Sequence, residues 1–395
     1  MTLKPRAIER DVMAVALERL HRIYDLVDRG GVSFSGGKDS TVVLNLAAQV
    51  ARERGRLPLD VYFVDEEACY PETVEYVERV RGREDVRLWW CCLPVTHRNA
   101  CSRSEPWWVC WDEAARDRWI RPLPAGAVTV RDVQRFRAGM QVDDVGPALF
   151  GPECGRVADL TGIRAQESTR RMQTVLRRTR DNYIAEARMG YYVNCKPIYD
   201  WKAEDVWRAA RQQGWDYNRA YDVQAMLGTS VTLQRVTPPF GEEPLGGLWK
   251  YAEGWPELWE RMLRRVDGVN TAGRYALTDL YGARLKEPPP GMSWQQWAMS
   301  MLQLYPEPQR SEIARGLAAV MKMHRKKTAR PIPDEQDDVM SGLSWKYICI
   351  IVSRGDLKNR KKGQLTQRAI TAAQRRGLTF EQVKALEGPG GKLRQ

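Results

Sequence analysis

Ile8, Val12, Val15, Leu20, Ile23 and Val27 recur at helical spacing and predict a helix at the start of the chain. The apolar run Gly31-Val32-Ser33-Phe34 then reads as a strand. A second helix, with Val42-Val43, Leu46-Ala47 and Val50 on its apolar face, stops near Gly55. Val61-Tyr62-Phe63-Val64 reads as a buried strand, Thr73 to Val80 as a helix opened by Pro71, and Val86 to Trp90 as a further strand. Alternation of this kind implies right-handed crossovers and a parallel sheet, so the fold class is α/β. Later the pattern changes. Trp297, Met301 and Leu304, then Ile313, Leu317 and Val320, keep a helical period without intervening strands. Val236-Thr237-Pro238-Pro239-Phe240-Gly241 reads as a boundary and Pro288-Pro289-Pro290-Gly291 as a second break. The expected domains are therefore residues 1–235, α/β, and 236–395, mostly α-helical, with a loose tail from Gly388.

The junction between the first strand and the second helix carries the chemistry. It reads Ser35-Gly36-Gly37-Lys38-Asp39-Ser40. Paired glycines let the backbone turn sharply and approach a ligand closely. The free N–H groups of the following helix point into the turn beside the positive end of its dipole. Lys38 adds a full charge and the two serines add hydroxyls, so the turn suits a pyrophosphate. The Walker A frame fails, because Val32 stands where its first glycine belongs and Asp39 where its hydroxyl belongs. Asp65 ends the Val61–Val64 strand and should face the same crevice, where a carboxylate can hold a ribose, hold magnesium or cap the next helix. Glu66 and Glu67 follow directly, which leaves open which carboxylate serves.

Composition narrows the class. The 395 residues are 43% hydrophobic, enough for real cores. No window approaches eighteen apolar residues and the N-terminus has no signal-peptide core, so a cytoplasmic protein with no membrane contact is expected. Eight cysteines are too sparse for a disulfide scaffold. Net charge is +12, and the stretch from Lys322 to Arg376 holds fourteen Lys/Arg against five Asp/Glu. That excess suits DNA or RNA, an acidic partner, or simple solvation. A second basic run includes Arg164, Arg170 and Arg171.

Ser35–Ser40 matches the Ser-Gly-Gly-x-Asp-Ser signature of the PP-loop ATP pyrophosphatases and resembles it at every defined position. Thr161-Gly162-Ile163-Arg164, continuing to Glu167-Ser168 and Arg171, resembles a segment of the phosphoadenosine phosphosulfate reductase family. Pro197-Ile198 through Trp201 to Asp205-Val206-Trp207 resembles another. The resemblance covers roughly Arg22 to Tyr221 and implies a sheet of the adenine-nucleotide α-hydrolase type. It implies ATP or a sulfonucleotide as ligand with Mg2+, cleavage between the α- and β-phosphates, and transfer of AMP to an acceptor. Carried onto this chain, the binding residues are Ser35, Gly36, Gly37, Lys38, Asp39, Ser40, Asp65, Gly162, Ile163 and Arg164. Lys38, Asp39 and Arg164 are the catalytic candidates, and Asp39 and Asp65 the metal candidates. Read physically, the second segment mainly seats a helix, with Asp200 as its N-cap and Val206, Trp207 and Ala210 on its apolar face.

Sulfonucleotide reductases carry a reactive Glu-Cys-Gly near the C-terminus. Here Glu153-Cys154-Gly155 precedes Gly162, in the wrong place, and the last seventy or so residues hold only Cys349, inside an apolar run. Thioredoxin-linked reduction is therefore not the reading. Trp90-Cys91-Cys92-Leu93-Pro94, Glu105-Pro106-Trp107-Trp108-Val109-Cys110-Trp111 and Ser344-Trp345-Lys346-Tyr347-Ile348 resemble the immunoglobulin-binding-regulator A (IbrA) branch, carried by phages and mobile elements. That branch implies a C-terminal domain of unknown function and a ParB-like partner protein. Cys92, Cys101 and Cys110 stand nine residues apart within a Trp/Cys-rich insertion near 89–125. Without a Cys-x2-Cys pair, packing is favoured there over zinc or an iron–sulfur cluster. The acceptor stays open between a sulfur oxyanion and a nucleic-acid base. A binding-only regulator is the alternative to an enzyme.

Overall fold

A computed structural model describes residues 11–102, 104–167, 182–187, 189–231, 233–236, 239–241, 245–275, 287–353, 364–379 and 382–383. Arg170, Arg171, the Lys358–Lys362 cluster and the tail from Gly388 lie outside them. Two compact units divide the chain, Met1–Ala276 and Leu277–Gln395.

The first unit is built on a six-stranded sheet in the order β3-β2-β1-β6-β8-β7. Its strands are β1 (Arg29–Ser33), β2 (Leu59–Val64), β3 (Val86–Cys91), β6 (Val157–Thr161), β7 (Ile184–Glu186) and β8 (Tyr192–Cys195). All pairings are parallel except β7 against β8. β2 is buried at every position, as expected of the apolar run Val61–Val64 in a strand covered on both faces, and its one charged residue, Asp60, is paired with Arg29 and Arg87. Val32 of β1 sits in register with Val61 on one side and Leu160 on the other. Helix α1 (Val12–Leu26) precedes β1 and packs on α2 (Lys38–Glu53), which together with α3 (Pro71–Arg81) supplies the early crossovers. The chain runs outward from β1 through β2 to β3, then returns to place β6 on β1's free side. The order thus reverses between β1 and β6, and a crevice forms beyond their carboxyl ends.

The insertion after β3 forms a small antiparallel hairpin, β4 (Thr96–Arg98) and β5 (Trp107–Val109). Helix α4 (Val142–Leu149) precedes β6, and α5 (Ala203–Gln212) and α6 (Ala220–Met226) follow β8. Asp200 does not cap α5. It accepts two hydrogen bonds from Arg19 of α1, both 2.7 Å, while Asp205 turns back to accept from the Lys202 N–H at 2.8 Å. The charge of Arg19 is the stronger attraction for that carboxylate.

The first unit extends through Ala276, beyond the boundary expected at Arg235. Helices α7 (Trp249–Gly254), α8 (Pro256–Arg265) and α9 (Val269–Tyr275) belong to it because they dock on the ends of the early strands. Arg265 forms a buried pair with Glu67, and the Trp255 indole donates to Glu72. In the second unit, α10 (Trp294–Gln303), α11 (Gln309–Lys327), α12 (Trp345–Ser353) and α13 (Leu365–Arg375) enclose a core that includes Trp294, Leu302, Ile313, Val320 and Ile348. α10 buries Trp294, Ala298 and Leu302, one residue out of phase with the expected stripe. Leu304 falls at its C-cap and is 81% exposed, since the helix ends before its turn reaches the core.

Candidate functional site

The Ser35–Ser40 turn lies beyond the carboxyl end of β1. Gly36 adopts φ +70°, where a Cβ would be strained, and Gly37 serves as the N-cap of α2. The Ser40 hydroxyl donates to the Gly37 carbonyl at 3.0 Å and accepts from the Ser35 N–H at 3.2 Å, drawing the turn closed. Thr41 Oγ1 adds a bond to the same carbonyl at 2.9 Å, and Asn218 holds the Gly36 carbonyl at 3.0 Å. The carbonyls are thus tied to the protein. Among the described residues, nothing takes up the N–H groups of Gly36, Gly37, Asp39 or Ser40. Unpaired donors at a helix start form an anion site.

Two cations close the cradle. Lys38 is buried, with its Nζ 3.6 Å from Asp39 and 3.4 Å from the Gln234 carbonyl. Burial lowers its pKa, opposed by Asp39 and reinforced by the positive charges of Arg164 and Arg235. Arg164 arrives from β6, 4% exposed, and its Nε donates to Asp39 Oδ1 at 2.5 Å. Gly162 makes that approach feasible: a Cβ there would lie 2.7 Å from the Asp39 carbonyl carbon and the Ser40 nitrogen. β6 therefore delivers Arg164 by packing its backbone directly on the loop. The cluster Lys38–Asp39–Arg164 joins both sides of the switch point.

Asp65 lies where the sequence put it, at the end of β2, but its carboxylate is consumed by the protein. It is fully buried, pairs with Arg121, accepts from the Trp90 indole at 2.6 Å and accepts from the Glu67 N–H at 3.0 Å. Glu66 pairs with His97 at 3.0 Å and Glu67 with Arg265 at 2.7 Å. The three carboxylates anchor the insertion and α8. The expectation that Asp65 holds a ribose or magnesium meets a group already neutralised and hydrogen-bonded.

Residues 31–226 match the phosphoadenosine phosphosulfate reductase domain, and residues 228–333 match a domain of unknown function, DUF3440. The uncharacterized protein YbdN of Escherichia coli K12 is 31% identical over 88% of this chain and 88% of its own length. The chain belongs to the YbdN family, with a phosphoadenosine phosphosulfate reductase domain of the PP-loop superfamily at its amino-terminal end. Among solved structures it is similar to phosphoadenylyl-sulfate reductase from Candida auris, a phosphate complex. That likeness has 15% identity, a TM-score of 0.30, and coverage of 54% of this chain and 85% of that one. It is also similar to Candida glabrata FMN adenylyltransferase with FAD and inorganic pyrophosphate, at 13% identity, TM-score 0.33, and coverage of 53% and 58%.

Within this domain, Tyr221 is the residue that sequence reasoning missed. Its hydroxyl accepts from the Lys38 N–H at 3.0 Å and its ring lies 5.3 Å below the Lys38 ammonium. Tyr221 and Gln234 stand between the loop and a cavity of about 830 Å³, lined also by Trp207 and Tyr217. A Tyr at 221 and a Gln at 234 carry no local signal, because their partner is nearly two hundred residues upstream. Cys154 follows Gly151 just before β6, at the amino end of that strand, whereas the loop lies beyond its carboxyl end. Cys92, Cys101 and Cys110 are buried, and burial pushes the Cys101 thiol up to about 12 and Cys92 and Cys110 upward as well. Among the described residues, no group of three or more His, Cys, Asp or Glu is placed to hold a metal. No helix among them is long and apolar enough to cross a membrane.

Proposed function

We infer that the chain is a PP-loop enzyme that binds ATP and breaks it between the α- and β-phosphates, passing the adenylyl group to an acceptor. The observation that carries this reading is the Lys38–Asp39–Arg164 cluster beside four unclaimed loop N–H groups. The β,γ-phosphates would rest on Ser35–Ser40, where the N–H dipoles and Lys38 stabilise charge building on the departing pyrophosphate. Arg164 would hold the α-phosphate, its guanidinium kept in place by Asp39. Gly162 and Ile163 shape that approach. A lowered Lys38 pKa in the ligand-free protein rises again when an anion arrives, so ATP binding strengthens the charge it needs.

Magnesium fits only as a companion of the phosphates. Asp39 is the partly exposed carboxylate at the loop, and it is already flanked by two cations. Magnesium usually combines one or two carboxylates with phosphate oxygens. When bound it would neutralise phosphate charge; Asp39 would be its protein partner, rather than Asp65.

The acceptor belongs to the same reading as a sulfur oxyanion or a nucleic-acid base, the latter supported by the basic stretch in the second unit. Membership of the IbrA-like branch, with a ParB-like protein as partner, rests on the Trp/Cys segments. The position of Cys154 at the far end of β6 favours ATP chemistry over reduction of a sulfonucleotide. The test pairs two assays on the intact chain. Pyrophosphate from ATP, without sulfite from phosphoadenosine phosphosulfate and thioredoxin, supports the proposal. Sulfite production abolished by Cys154→Ser would replace it with a reductase.

A further inference from the structure

We propose that Arg235, between α6 and α7, is an anion-binding residue that grips the phosphoanhydride resting on the Ser35–Ser40 loop. The inference rests on the nucleotide reading above and adds a contact from the part of the chain that matches DUF3440.

Both sequence neighbours of Arg235 touch the loop. The Gln234 carbonyl accepts from Lys38 Nζ at 3.4 Å, and Val236 Cγ2 lies 3.3 Å from where a Cβ on Gly37 would stand. The backbone of Arg235 is clamped between them. Its N–H donates to Gln224 Oε1 at 3.1 Å and its carbonyl accepts from Gln224 Nε2 at 2.8 Å. Gln224 is itself buried on α6, so the clamp is rigid. Arg235 is therefore held by its backbone at the rim of the cradle.

Its guanidinium is unlike the other arginines around the crevice. Arg164 is paired with Asp39, Arg121 with Asp65, and Arg265 with Glu67. Arg235 has no carboxylate partner among the described residues, yet it is half-buried and near enough to Lys38 to depress that group's pKa. Lys38 and Arg164 lie against Asp39, and Arg164 also meets Glu167 at 3.8 Å, so with Arg235 three cations are set against two carboxylates and one positive charge is left uncompensated in a partly dehydrated place. Like charges gathered away from water raise the free energy of the empty site. A phosphoanhydride, with its charge spread over several oxygens, removes that penalty on binding, and a guanidinium grips two of those oxygens at once. On this account the first residues of the DUF3440 region complete the nucleotide site of the preceding domain.

The test is calorimetry of the intact chain with inorganic pyrophosphate, ATP and phosphoadenosine phosphosulfate, comparing wild type, Arg235→Gln, Arg235→Lys and Lys38→Ala. Loss of one charge-assisted contact should weaken the preferred anhydride about 10- to 100-fold in Arg235→Gln, with partial recovery in Arg235→Lys. The ligand that loses most identifies the source of the anhydride. Without ligand, Arg235→Gln should melt at or above the wild-type temperature, since it removes a like charge beside Lys38; a merely structural residue would lower it. Equal affinities for wild type and Arg235→Gln, alongside weakening by Lys38→Ala, would overturn the proposal and leave the loop assignment standing. If neither variant weakens any of the three ligands, both fall. A lower melting temperature with affinity unchanged would also overturn it.

Discussion

Gly162→Ala tests how the two halves of the site are joined. The new Cβ would lie 2.7 Å from the Asp39 carbonyl carbon and the Ser40 nitrogen, and 2.9 Å from the Asp39 carbonyl oxygen. Ordinary contacts begin near 3.4 Å, so about 0.7 Å must be found. Every obstructing atom is backbone, and no flexible side chain can yield in its place. Overpacking of this kind costs about 1–3 kcal/mol. The loop cannot move without disturbing the N–H groups it presents, nor β6 without withdrawing Arg164 from Asp39. ATP affinity should therefore fall by about 5- to 150-fold, the same free energy expressed as a binding ratio. Gly82→Ala is the control: its Cβ would meet only ordinary contacts, at 3.6 and 3.8 Å, at the end of α3. Calorimetry with ATP and thermal unfolding of both variants would decide the matter. If Gly162→Ala binds ATP as the wild type does and melts within a degree of it, direct packing of β6 on the loop does not set the site.

Lys38→Ala should weaken ATP by about 10- to 100-fold, because a charged contact is removed where the remaining dipoles cannot replace it; equilibrium binding measures this. Arg121→Ala leaves the Asp65 carboxylate buried and uncompensated, and should cost about 3–5 kcal/mol in urea unfolding. If it instead weakens only ATP, Asp65 belongs to the ligand after all. Burial pushes the Asp159 carboxyl in β6 up to about 7, with the Tyr62 hydroxyl 2.9 Å away. Its folded value lies above its ordinary 3.8, so the stabilisation it brings is complete below that pH and lost as pH rises through about 7. The urea midpoint should fall between about pH 4 and 7 in the wild type and stay flatter in Asp159→Asn. Nucleic-acid binding through the basic stretch, which includes Arg325, Lys326 and Lys327 at the end of α11, should weaken steeply with salt in mobility shifts; no shift at low salt with DNA or RNA would end that reading.

The parts of this site that could be read from the sequence were those written locally. Six consecutive residues spell the loop, and the strand before it and helix after it follow from a simple change of period. Arg164 was legible only through the motif around it, since its partner Asp39 is 125 residues away. The position of Asp65 was read correctly, but its chemistry depends on Arg121, which reaches it from an insertion whose path no periodicity describes. Tyr221 and Arg235 were hidden for the same reason. Each is an ordinary residue made important by a partner on a distant segment. The boundary expected at Arg235 follows from the Val236–Gly241 segment, with its paired prolines, in the sequence alone. What it could not reveal is that Arg265, beyond the break, returns to Glu67.

The central claim is that the loop directs cleavage between the α- and β-phosphates. Its most direct measurement is the fate of label from γ-labelled ATP incubated with the intact chain, cellular small molecules and nucleic acid, with Lys38→Ala as the blank. The account predicts label in pyrophosphate, formed by the wild type and not by the variant. Label released as orthophosphate, or the same release from both proteins, would contradict it.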